Sequence, residues 1–157
     1  LYTVDDLDNA LHAMQDKIDT LKKSASSKQA RIKEVDELLR MVDYYKSGKP
    51  AADKLKSIRF EKSRQKYKAE HDNELRTFYM AERKLKPYFK DGKLPITAWR
   101  KERAQLEQEY RDIQTELSPL HADAKKLWAI HYNIYEVQHE QERQNTELRQ
   151  KKQEIEH

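Results

Sequence analysis

The sequence predicts an all-α fold: a long antiparallel coiled-coil hairpin with a small helical tip. Three observations lead there. The 157 residues include only 2 Gly and 4 Pro, too few turn residues for a many-stranded sheet. Charged residues make up 38% and apolar residues 36%, too little apolar surface for a thick core, yet the apolar positions are too regular for disorder. Over two long stretches those positions recur at alternating steps of three and four, the spacing of a coiled-coil seam.

The first stretch opens at Thr3-Val4-Asp5-Asp6, where Thr3 can cap a helix and the two acids suit its positive end. Its seam reads Val4, Leu7, Leu11, Met14, Ile18, Leu21, Ala25, then Ile32, Val35, Leu39 and Val42, with Lys28 as the one break. The pattern predicts a stalk helix over 4–47, stopped at Ser47-Gly48-Lys49-Pro50 by a glycine free to take positive φ and by a proline.

Residues 48–96 read as a basic helical tip. Pro50 to Lys56 suggests a short helix, Ser57–Phe60 a turn or another helix start, and Lys68–Phe89 a longer helix kinked or ended by Pro87. After Asp91-Gly92-Lys93-Leu94-Pro95, Thr97 is the expected cap of a second stalk helix over 97–140. Its stripe is Trp99, Leu106, Tyr110, Ile113, Leu117, Leu120, Ala124, Leu127 and Ile134, interrupted by Arg103 and His131. A polar helical tail over 141–157 follows, in which only Leu148 and Ile155 keep the heptad. The whole of 1–157 reads as one helical domain.

Stalk helices joined by a tip run antiparallel if they pack together. Their lengths pair positions adding to about 144, which sets Ile32 near Ile113, Ile18 near Leu127 and Leu11 near Ile134. The same pairing places the weak stretch 24–28 near Pro119 and suggests a shared kink or opening. Such a stalk would be roughly 65 Å long.

Charge is segregated. Residues 46–103 hold 18 basic and 8 acidic residues, whereas 1–45 hold 7 and 9, and 104–157 hold 7 and 11. The densest run, Lys54, Lys56, Arg59, Lys62, Arg64, Lys66 and Lys68, is the candidate nucleic-acid-binding site. Half of the 14 aromatics lie in the same span: Phe60, Tyr67, Phe78, Tyr79, Tyr88, Phe89 and Trp99. Cations neutralise phosphates and rings stack on bases, so DNA is a candidate partner. Phe78, Tyr79 and Trp99 serve equally well as a small core for the tip, and Lys and Arg also solvate long helices.

No catalytic constellation is expected. Gly48-Lys49 is followed by Pro50 where a phosphate-binding loop needs Ser or Thr, and Arg143 stands where His139-Glu140 would need a second His. Glu70-His71-Asp72 reads as surface, and Tyr44-Tyr45 as packing. Without Cys there is no disulfide framework or thiolate site. We therefore expect no catalytic residue, no metal, no cofactor and no small-molecule substrate. No apolar run approaches bilayer length and no signal peptide is visible, so a cytoplasmic protein with no membrane partner is expected. The start at Leu1 rather than Met reads as a piece of something larger.

The order of these features resembles the C-terminal helical region of relaxases, the mobilisation nucleases of plasmids and conjugative transposons in Gram-positive bacteria. The resemblance covers about 28–135. It rests on Leu38-Leu39-Arg40-Met41-Val42-Asp43-Tyr44-Tyr45, on Tyr67-Lys68-Ala69-Glu70-His71-Asp72-Asn73-Glu74-Leu75, on Gly92-Lys93-Leu94-Pro95, and on the long helix carrying Leu106 and Tyr110. It implies a parent that nicks DNA at a transfer origin with a tyrosine and a His-bound metal in an N-terminal domain. None of those parts maps onto this chain. What the resemblance implies here is a non-catalytic accessory region that assists DNA binding or transfer-complex assembly. The alternative is a structural coiled-coil scaffold or oligomerisation module, with a helical partner or a second copy bound through the stalk or tail and no nucleic-acid role.

Overall fold

The computed structural model describes residues 3–156. Four α-helices follow in order: α1 (Val4–Ser57), α2 (Glu61–Glu70), α3 (Asp72–Leu85) and α4 (Ile96–Glu156). A short 3-10 turn, Lys86–Tyr88, follows α3. The fold is an all-α helical hairpin, and its packing divides the chain into two compact units. One runs from Ser26 to Tyr110; the other comprises residues up to Ala25 and from Arg111 onward.

The flanking unit is a two-helix seam. Leu11, Ile18 and Ala25 are buried at strict sevens on α1, and Ile113, Leu117 and Ala124 are buried on α4. Thr3 caps α1 as expected. Its hydroxyl accepts from the Asp6 amide at 3.1 Å while its own amide donates to the Asp6 carboxylate at 2.9 Å. The Thr3 backbone N–H, and after it the Thr3 side chain, hold the Asp6 carboxyl below its usual pKa. Pro119 lies inside α4 at an exposed position, and the helix continues through it. Its missing N–H therefore costs no buried hydrogen bond, and neither helix is interrupted at 24–28 or 117–120.

The direction of pairing is antiparallel, but the register differs from the expected one. Asp8 meets His131 and Lys17 meets Glu116 in this unit. Lys28 meets Glu109 and Arg31 meets Glu102 in the other. These positions add to 133–139 rather than 144, a slip of about one heptad. Leu11 and Ile18 are thus not opposite Ile134 and Leu127. A slip of one heptad returns every apolar residue to the seam, so the apolar pattern alone cannot fix it. Polar partners at the seam's edge do.

In the central unit two apolar clusters join α1, α3 and the start of α4. One holds Val35, Met41, Val42, Ala81, Leu85 and Trp99. The other holds Ala51, Ala52, Leu55, Leu75 and Phe78. The second cluster explains a correction. α1 does not stop at Gly48–Pro50 but runs on to Ser57 with Pro50 inside it. An interior proline costs about 3 kcal/mol. Burial of Ala51, Ala52 and Leu55 against α3 offsets this. Gly48 is a contact residue, not a terminator: a Cβ there would lie 2.6 Å from the Phe78 Cβ and 3.0 Å from the Glu74 carbonyl oxygen.

The expected helix over 68–89 is two elements. Residues 58–60 are non-helical, α2 begins at Glu61, and His71 (φ −117°, ψ 28°) breaks the path before α3. α3 then ends at Leu85, just ahead of Pro87. Asp91 and Gly92 both take positive φ, 52° and 73°, in a two-residue turn closed by mutual 2.9 Å bonds between Lys90 and Lys93. α4 starts at Ile96, so Thr97 lies within its first turn and is not its cap.

Candidate nucleic-acid interface

All seven candidate cations lie in the central unit, on or beside α2. Lys54 and Lys56 occupy the last turn of α1, where cations also favour the helix's negative end. Arg59 lies in the linker, and Lys62, Arg64, Lys66 and Lys68 lie on α2. Six are exposed and Arg64 is half-buried. α2 itself buries no residue. It rests on Tyr67, whose ring lies 4.2 Å from the His71 ring and under the Lys54 ammonium at 5.4 Å.

The seven do not share one face. At 3.6 residues per turn, Lys62 and Lys66 stand above one another, and Arg64 with Lys68 lie about 200° round the helix. The Arg64–Lys68 side leads to an open groove of about 810 Å³ between α2 and α3. Lys68, Arg76 and Arg83 supply its cations, and Leu75, Tyr79 and Met80 supply apolar wall. Sequence reasoning missed Arg76 and Arg83. Their spacing of seven on α3 was the available signal. Asp72 answers Arg76 at 3.2 Å, so that cation is partly neutralised.

Pairing separates these cations from Lys28, Arg31 and Arg103 on the facing surfaces of α1 and α4. Lys28 donates to Glu109 at 2.7 Å, and Arg31 donates to Glu102 at 2.6 Å and to Glu34 at 3.0 Å. Arg103 reaches Asp36, and also Glu107 at 2.9 Å. The Arg31 hydrogen bond holds the Glu102 carboxyl below its usual pKa. Bonds from Lys28 and then Gln105 do the same for Glu109. Among the described residues, none of the seven candidate cations forms an ion pair.

The aromatics divide just as sharply. Phe78 stacks on Tyr45 at 5.0 Å and meets Tyr79 edge-on at 5.3 Å. Tyr88 meets Trp99 at 5.4 Å, and Phe89 meets Tyr45 at 5.6 Å. The reading of Phe78, Tyr79 and Trp99 as tip core thus describes where these rings lie. Phe60 is 78% exposed in the linker.

The remaining motifs are local. His71 joins α2 to α3, with Nδ1 3.7 Å from a Glu74 oxygen. His139 pairs with the Tyr135 hydroxyl at 2.6 Å. Among the described residues, no group of three or more His, Cys, Asp and Glu could hold a metal ion, and no helix is long and apolar enough to cross a membrane. Comparisons with protein-family descriptions, curated proteins and solved structures find no match to this chain.

Proposed function

We propose that this chain is a DNA-binding accessory module, the helical region of a relaxase-like mobilisation protein, working in the cytoplasm without catalysis of its own. The observation that carries the reading is the run of seven cations on and beside α2, six of them exposed and none in an ion pair among the described residues. Unpaired surface cations gain most from phosphate, because binding releases the counterions condensed on the DNA. Lys54, Lys56, Arg59, Lys62, Arg64, Lys66 and Lys68 supply the charge, and Tyr67 packs α2 against the second cluster. The relaxase assignment rests on the sequence resemblance; the DNA assignment rests on charge.

Titration of labelled DNA at about 50 and about 200 mM salt tests it. Binding that weakens steeply with salt is expected. No binding at the lower salt overturns it.

One observation favours a second reading, self-association. α4 is exposed throughout from Tyr135 to Glu156, with Leu148 at 64% and Ile155 at 85% exposure seven residues apart. Sedimentation over a wide concentration range discriminates: a monomer throughout removes this reading.

A further inference from the structure

Seven aromatics lie in the basic segment; the sequence offers Phe78, Tyr79 and Trp99 as core and leaves the other four open, and the structure separates them. Phe78 and Trp99 are buried, and Tyr67, Tyr79, Tyr88 and Phe89 each lie against another ring. Phe60 alone of the seven is both in none of these ring pairs and more than half exposed. It sits in extended backbone at the entry to α2 (φ −86°, ψ 131°), outside both apolar clusters. Its neighbours along the chain are cationic: Lys56 and Arg59 before it, Lys62 after it, all exposed. The nearest acid, Glu61, accepts a hydrogen bond from Gln65 at 3.4 Å along the helix.

We infer that Phe60 is a base-stacking residue and that the ligand of this surface is single-stranded DNA. The inference rests on the DNA reading above and narrows it. A free ring between free cations matches one unpaired nucleotide, with the base on the ring and the flanking phosphates on Arg59 and Lys62. Stacking needs an open base face, which a duplex offers only after unstacking a step. The ring contributes almost nothing to the fold at this exposure, so its replacement isolates the binding role.

The test uses the full chain, a labelled oligothymidylate of about 20 nucleotides and a duplex of the same length. Wild type should prefer the single strand. Phe60→Ala and Phe60→Leu should each weaken single-strand binding about tenfold or more, and Phe60→Tyr should retain it. The leucine variant matters because it keeps apolar area but loses the π-face. The salt slope should not change in any Phe60 variant, whereas Lys62→Gln should lower it by about 0.7. Wild-type affinity in Phe60→Ala and Phe60→Leu, or equal competition by the duplex, overturns this inference and leaves the DNA reading standing. Absence of binding to either probe by the wild type overturns both.

Discussion

Two sets of cations in the central unit use the same residue types for opposite ends. On the facing surfaces of α1 and α4, Lys28, Arg31 and Arg103 each meet a carboxylate across the seam. On α2, Lys62, Arg64, Lys66 and Lys68 meet none, and the helix buries nothing. The first set selects one heptad register among several that the apolar pattern allows. The second leaves its charge unspent at the surface. A lysine's role here is decided by whether an acid lies across from it, which composition does not record.

Both sets depend on the core that joins α1, α3 and α4, and disturbing that core gives the largest effect. Leu85, the last residue of α3, is fully buried within the first cluster. Leu85→Ala should destabilise by about 2–5 kcal/mol in denaturant titration. Gly48→Ala comes next, at about 1–3 kcal/mol, because the new methyl meets backbone and the stem of Phe78 rather than a movable side-chain end. A glycine that acted only as a helix stop would lose nothing on becoming alanine inside a helix, so a stabilised variant contradicts the contact role.

The register claim predicts a smaller effect. A double-mutant cycle on Arg31→Gln and Glu102→Gln should give a coupling of about 0.2–1 kcal/mol, kept low because both side chains are more than a third exposed. Zero coupling would remove this pair from the register argument. The pH dependence follows from the same bonds. Glu102 and Glu109 have folded pKa values below their unfolded ones. Their contribution is therefore complete above the unfolded carboxylate value of about 4.3 and is lost as pH falls through the folded values. Tm should be level from neutral pH down to about 5 and decline below about 4, with a shallower decline in Glu102→Gln.

The heptad on both long helices was legible in the sequence. From Leu7 to Val42 and from Trp99 to Ile134 every apolar seam residue named is buried or half-buried. The reason is physical: a 3.5-residue repeat leaves one stripe to hide and one way to hide it. Register was not legible, because a seven-residue slip conserves that stripe. The end of α1 was misread because Gly48 and Pro50 are local stop signals, overruled by Phe78 and Leu75 from another helix. The candidate cations were legible as a run, but not their division between two sides of α2. Nor did the sequence separate Phe60 from the rings that build the core.

The most direct test swaps the two sets of cations against two readouts. One variant carries Lys62→Gln, Arg64→Gln, Lys66→Gln and Lys68→Gln; the other carries Arg31→Gln and Arg103→Gln. DNA affinity and Tm are measured on both. The account predicts that the α2 variant loses about tenfold or more in affinity with little change in Tm, and that the seam variant lowers Tm while binding DNA as the wild type does. An α2 variant that binds DNA as well as the wild type, or a seam variant that loses binding while still folded, would contradict it.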